Sequence, residues 1–351
     1  MRVKVAQCAA MFWDGGRLVW DDYLHHQQFA LTPESERVVS WFRTWRDLDT
    51  AGTLGDGAVE IAERLLEVGV LLAEGSPQQA EEVAVLAEWG GWGPAARHHH
   101  FATRTLSGSG YLDAAADAAR REEKLAVADA PVVAKTYDDA ERIELPAATD
   151  DGDWAQPSLL GALTARRSCR EFEGSTITVQ ELGSVLTLGA GITSTRGDAD
   201  AAPDVFRTSP SAGARGPVEV YVVATRVDGL DAGVYHYRAL DHGLEKLGEA
   251  PSRDVVTAAL GGQTWASAAP ALLVYSAVPA RSRFRYDTGR AYRDILLTLG
   301  HLDQNVLLLA TAMGLGSLLV TAVSDEDLEA ILGLEHITEP VLGVTALGRR
   351  S

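Results

Sequence analysis

The sequence predicts an α+β chain: a mostly antiparallel sheet packed by helices, preceded by a small winged-helix-like α/β N-terminal domain. Three observations predict this. The apolar runs VEVYVVA (218–224) and PALLVYS (270–276) are β-branched enough for buried strands. Segments with apolar residues at helical spacing alternate with such runs. Asp241-His242-Gly243, between short runs at 233–237 and 244–247, is a hairpin signal, and hairpins join antiparallel neighbours.

Taken in order, 3–9 and 17–20 read as strands about a Gly15-Gly16 turn, and 35–45 and 58–72 as helices. A helix over 79–89 follows Gly75-Ser76-Pro77, and the tryptophans Trp41, Trp45, Trp89 and Trp92 are expected in the core of this module. Residues 1–106 therefore form the first domain. Residues 107–153 read as one exposed helix (114–127) and a linker, punctuated by Pro131 and Pro146 and ending in Asp150, Asp151 and Asp153. The second domain, 154–351, begins near Trp154, with Pro157 in the first turn of a helix running to Ala165. A helix over 179–188 and the strands named above follow. The helix over 291–313 is apolar almost all round from Ile295, which places it in a core or a subunit interface. Ser324 with Asp327 caps a short helix, and 340–347 closes as a strand.

A length of 351 residues favours two domains. The formal net charge of -18 opposes general affinity for nucleic acid or anionic membranes. The two cysteines, Cys8 and Cys169, are too far apart to mark a zinc site or disulfide framework. The start, Met1-Arg2-Val3-Lys4-Val5, lacks the apolar stretch of a secretory signal, and polar residues at 301–305 break the longest apolar run. The expectation is a cytoplasmic, soluble chain. His98-His99-His100 are not expected to bind metal, because adjacent side chains diverge.

Three segments carry candidate chemistry. In Arg166-Arg167-Ser168-Cys169-Arg170, three guanidinium groups and a hydroxyl end a helix. Arginine forks bind phosphate oxygens bidentately, so this is either a phosphate site or a solvated basic helix end. In Thr208-Ser209-Pro210-Ser211-Ala212-Gly213-Ala214, small residues let backbone approach a flat ligand; the bland reading is a plain loop. In the third, His301, Asp303, Gln304 and Asn305 interrupt an apolar helix that leads to Gly314-Leu315-Gly316-Ser317. Such polar groups are costly unless paired, so they belong to a buried hydrogen-bond network or border a ligand.

In this order the three segments resemble the nitroreductase-like flavoproteins, over roughly 154–350. The resemblance implies FMN as cofactor, with Arg166, Arg167, Ser168 and Arg170 at its phosphate and Arg349 also reaching it. Pro210, Ser211, Ala212 and Gly213 would line the ring, with Leu315, Gly316 and Ser317 on its other side. Within that superfamily, the Ser-Pro-Ser-Ala-Gly-Ala loop, Gly233-Val234-Tyr235-His236-Tyr237 and Gly289-Arg290-Ala291-Tyr292-Arg293 with Gly300-His301 resemble SagB-type dehydrogenases. Such enzymes oxidise thiazoline or oxazoline rings in ribosomally made peptides. An extra N-terminal domain for peptide or partner recognition fits that branch.

The branch often carries a Lys-Tyr pair before the Gly-x-Arg-x-Tyr-Arg element, and here the pair is Arg285-Tyr286. Arginine keeps the charge but cannot accept a proton, so Tyr286 is the expected base. At neutral pH only about one free tyrosine in a thousand is ionised. Arg283 or Arg290 would face the phenol if this segment is helical. By the resemblance, Tyr286 removes the α-proton while hydride leaves the β-carbon of the azoline. A homodimer, an azoline-bearing precursor peptide and a cyclodehydratase complex are the implied partners. The alternatives are an NAD(P)H-dependent nitro or quinone reductase, another peptide-tailoring oxidoreductase, and a non-catalytic scaffold. His236 and His301 are read as structural hydrogen-bonding groups, with bordering the flavin the alternative for His301.

Overall fold

The computed structural model describes residues 1–107, 112–148, 158–172, 174–197 and 203–350. The expected domain start at Trp154, the helix-opening Pro157 and the acidic Asp150, Asp151 and Asp153 lie outside the described residues. The chain divides into two compact units, Met1–Gly110 and Tyr111–Ser351.

The first unit holds two three-stranded sheets, one built on Arg2–Val5 and one on Arg17–Asp22. Its helices Pro33–Trp41 and Pro77–Trp89 start where the Thr32 and Ser76 side chains accept from the backbone N–H groups of Ser35 and Gln79. The helix expected over 58–72 stops at Glu67, and Leu71–Ala73 instead pairs as a strand with Val3 to Val5. The apolar tail buries itself through the sheet, which helical periodicity alone does not reveal. Val3, Trp20, Val38, Phe42, Ala62 and Leu71 form the core. The tryptophans expected there divide: Trp41 packs half-buried against this core and Trp89 against a second cluster of Cys8, Tyr23 and Phe101, whereas Trp45 lies half-buried under Lys4 and Trp92 is 71% exposed. His98 bonds Asp21 while His100 stacks on Trp89, so neighbouring histidines do diverge.

The second unit is built on a seven-stranded sheet whose neighbouring strands are all antiparallel. Its order is Leu315–Val320, Val341–Arg349, Ala271–Ala277, Val218–Ala224, Gly233–Arg238, Gly243–Glu249 and Glu141–Glu144. Alternation sorts its side chains. Val218, Val220 and Val222 enter the core shared with helices Val179–Ala190 and Ala291–Ala312, while Tyr221 and Val223 enter the opposite one. The 22-residue helix Ala291–Ala312 is long and apolar enough to cross a membrane by length and composition. Ile295, Leu299, Leu302 and Val306 bury one face in the core; Leu296 and Leu297 remain exposed on the other.

The segment expected as an exposed helix and linker belongs to this unit. Glu141–Glu144 is the sheet's edge strand, and Lys135 and Tyr137 donate backbone N–H groups to the buried carboxylates of Glu219 and Glu245 at 3.0 and 2.9 Å. Proline punctuation marked irregular backbone correctly, but buried glutamates supply its acceptors and hold it on the sheet.

Candidate functional site

Ser158 caps helix Leu159–Ala165, which ends at Arg166. Beyond it the chain runs beside the strand Leu315–Val320: Ser168 bridges Ser317 in parallel, and Cys169 N–H donates to Ser317 O at 3.1 Å. Gly316 is needed here, since a Cβ at that position would stand 2.6 Å from Cys169 Sγ. Two predicted segments far apart in sequence thus meet, with Arg166 half-buried and Ser168 exposed beside them. Not every predicted cation joins them. Arg167 Nη1 turns back on the helix end, donating to Thr164 O at 3.0 Å and Arg166 O at 2.7 Å. The Arg170 guanidinium sits over the Trp265 ring, 5.5 Å from its centroid, and Arg349 pairs with Glu181 at 2.5 Å.

The small-residue loop is anchored at both ends. Thr208 Oγ1 donates to Leu188 O at 2.6 Å, and Ser211 Oγ accepts from Gly216 N–H at 3.0 Å. His301 Nδ1 lies 3.3 Å from Pro210 O, and Asn305 Nδ2 donates to Thr208 Oγ1 at 3.4 Å, which ties the loop to the central helix. Gly213 has φ +59°, and a Cβ there would meet Tyr286 Oη at 2.7 Å and Arg285 Cγ at 3.1 Å. The loop and the Arg285-Tyr286 pair, remote in sequence, therefore share one spot.

Helix Pro279–Arg285 carries that pair, and Tyr286 is the first extended residue after it, with φ -127° and ψ 125°. Because the helix stops there, Arg283 and Arg290 do not occupy the helical positions expected beside the phenol. Arg285 Nη2 instead pairs with Asp117 at 2.7 Å. The helix Ala114–Leu125 clamps the segment further: Lys124 Nζ donates to Arg283 O and Phe284 O at 3.2 and 3.1 Å and pairs with Asp287 at 2.5 Å. Arg120 donates to Arg285 O. Cations on the last carbonyls of a helix also oppose its negative end. No sequence signal marked Asp117, Arg120 or Lys124 for this task, because the contacts close a loop of more than 150 residues.

The polar residues of the central helix divide in role. Asp303 is buried and accepts from Tyr275 Oη at 3.1 Å and from Thr345 Oγ1, while burial raises its carboxyl above the ordinary range. Asn305 and His301 face the loop instead. His236 is fully buried, with Nδ1 at 2.8 Å from Glu245 and Nε2 at 3.5 Å from Glu219, a structural setting as expected.

The loop's surroundings fit a heteroatom-rich ring such as a flavin. Ser209 Oγ and the Arg207 atoms Nε and Nη2 are buried without a hydrogen-bond partner. Burial also holds the Arg207 guanidinium below its ordinary value. Unpaired buried donors are costly, so they are suited to acceptors on a ligand. Ser209 lies inside the predicted loop, though it was not among the residues assigned to the ring; Arg207, just before that loop, was not predicted, and its position there was the available signal.

The fold and these paired segments are those of the Nitroreductase family, whose model matches residues 163–349, and the chain belongs to it. The Methanocaldococcus jannaschii protein MJ1384, which bears a provisional nitroreductase name, is 35% identical over 56% of this chain and 92% of its own length. The trifolitoxin-processing protein TfxB of Rhizobium leguminosarum bv. trifolii is 30% identical over 40% of this chain, and the microcin B17-processing protein McbC of Escherichia coli is 29% identical over 41%. The chain spans only 39% of TfxB and 54% of McbC. Kinship with these two processing proteins is what the SagB-type resemblance anticipated.

Proposed function

We propose that this chain is an FMN-dependent dehydrogenase that oxidises thiazoline or oxazoline rings of a precursor peptide to thiazoles or oxazoles. The observation that carries the reading is the meeting of Gly213 with the Tyr286 phenol beside unpaired buried donors. Bound FMN supplies the two-electron acceptor for ring oxidation. Arg166 and Ser168 would hold its phosphate, and Pro210, Ser211, Ala212 and Gly213 would admit its flat ring, with Leu315, Gly316 and Ser317 opposite. Tyr286, in its phenolate form, receives the α-proton of the azoline at its Oη and becomes the neutral phenol. Arg285, whose guanidinium pairs with Asp117, cannot itself accept that proton.

The reading includes a homodimer, supported by Leu159, Leu160, Leu163, Leu296 and Leu297, which leave an apolar surface exposed around the central helix. It also includes a cyclodehydratase as the supplier of azolines and the N-terminal unit as the recogniser of peptide or partner. Incubation of the flavin-loaded protein with an azoline-bearing peptide tests the core of it. A loss of about 2 Da per ring is expected, since dehydrogenation removes two hydrogens; unchanged mass sinks it.

A second reading, an NAD(P)H-dependent nitro or quinone reductase, is favoured by the likeness to MJ1384 over 92% of that protein. Rapid bleaching of bound flavin by NADPH would select it.

A further inference from the structure

The sheet of the N-terminal unit that is built on Arg17–Asp22 ends in an edge strand, Ala10–Asp14, with three large apolar residues in a row. Met11 is 55% exposed, Phe12 40% and Trp13 70%. Successive side chains of a strand point to opposite faces, so this strand is apolar and open on both. On the neighbouring strand both faces are covered: Trp20, opposite Met11, and Val19, opposite Phe12, are buried. The apolar layers of the sheet therefore run past their cover at this edge.

The backbone of the edge is open too. Gly15 and Gly16, both at positive φ, make a two-residue turn, and Asp14 pairs with Arg17 beside it. In such a hairpin the pair flanking the turn is hydrogen-bonded, and bonded pairs alternate with non-bonded ones. Phe12 accordingly bonds Val19, while Met11 and Trp13 turn their N–H and C=O groups outward. Among the described residues no strand pairs on that side. Two other edge strands are guarded. Glu141–Glu144 reads Glu-Arg-Ile-Glu, and the far edge of the present sheet, Gln27–Leu31, opens on Gln27-Gln28. Charged and polar side chains are a common defence against edge pairing; Ala10–Asp14 has none before Asp14.

Whatever completes this edge meets two apolar faces and a free backbone at once. A helix or a bilayer covers one face and pairs with no backbone. An added strand does all three. Charge narrows its source. Acidic residues outnumber basic ones fifteen to nine in Met1–Gly110, so a second copy of this unit is repelled and a cationic peptide attracted.

We propose that an extended peptide, with apolar residues flanked by lysine or arginine, adds as a further strand to Ala10–Asp14, its backbone bonding Met11 and Trp13. The choice of a peptide rests on the peptide-processing reading above and gives the N-terminal unit a defined site.

The test uses the full chain and a blocked, fluorescein-labelled Lys-Thr-Val-Ile-Val-Thr-Lys peptide. One control carries N-methylated backbone amides, which cannot pair; another has glutamate in place of both lysines. Both controls are expected to bind at least tenfold more weakly. Amide hydrogen exchange at Met11 and Trp13 should slow at least tenfold on binding, with Phe12, already bonded, unchanged. Met11→Pro removes an outward N–H and no bond to the neighbouring strand, and Trp13→Thr keeps strand propensity while removing apolar cover. Each should weaken binding at least fivefold and leave the melting temperature unchanged.

Equal binding of either control peptide, Met11 and Trp13 amides that stay unprotected, or full binding by Met11→Pro overturns the proposal. So does another occupant: self-association of the free chain that Met11→Pro abolishes, or flotation with phosphatidylcholine vesicles that Trp13→Thr abolishes. No flavin turnover is read, so the outcomes separate. Binding without azoline oxidation sinks the proposed function alone, and oxidation without binding sinks this site alone.

Discussion

The α-carbon of Gly213 and the phenol of Tyr286 approach so closely that no methyl group fits between them. A Cβ on residue 213 would stand 2.7 Å from Tyr286 Oη and 3.3 Å from its Cζ. The left-handed backbone of Gly213, φ +59°, adds about 1–2 kcal/mol of strain for any residue with a side chain. Gly213→Ala is expected to lower kcat at least tenfold and to reduce the melting temperature by a few degrees. Wild-type turnover in this variant would show that the contact has no part in the chemistry.

Tyr286→Phe keeps the ring and removes the proton acceptor. General-base groups contribute roughly 10²–10⁴-fold, so azoline oxidation should fall by at least a hundredfold while flavin absorbance per subunit stays unchanged. Loss of flavin together with activity would reassign Tyr286 to packing.

The clamp on that segment predicts a subtler result. Asp117→Asn frees Arg285, and Lys124→Met frees the carbonyls of Arg283 and Phe284. These pairs are partly exposed, so each should cost about 0–1 kcal/mol of stability. The expected effect is on kcat and its pH profile, with KM and flavin content little changed. A fall in stability without any change in the pH profile would leave the clamp purely structural.

The arginines of the first segment should separate by role. Arg166→Glu is expected to weaken FMN binding about tenfold or more, equivalent to at least about 1.4 kcal/mol. Arg167→Ala should be nearly silent, because Arg167 caps carbonyls of its own helix end. Fluorescence titration of the apoprotein with FMN decides between them.

Acid should unfold the second unit through Glu219. Burial alone would push this carboxyl up, yet the adjacent Arg281, at 2.5 Å, with His236 and Arg207, holds it well below the ordinary carboxylate range. A depressed carboxyl contributes stability above its unfolded value, about 4.3, and loses it as pH falls below that value. The urea midpoint should therefore drop below about pH 4. Glu219→Gln should cost about 3–5 kcal/mol at pH 7, by leaving Arg281 buried and unpaired, and should show a shallower acid slope.

Much of this protein is determined by local sequence. The strands 218–224 and 271–277 and the central helix follow from residue type and period, because each buries a continuous apolar face. The three site segments were visible for the same reason: clustered arginines and runs of small residues are unusual within a few positions. Tertiary structure alone decided the rest. It sent Leu71–Ala73 into a sheet, drew the supposed linker onto buried Glu219 and Glu245, and turned Arg170 toward Trp265. It also joined Asp117 to Arg285 and Gly213 to Tyr286. Periodicity reports which face of an element avoids water, a local free energy. Which charge meets which carbonyl across more than a hundred residues depends on how those faces pack, and no spacing in the chain records it.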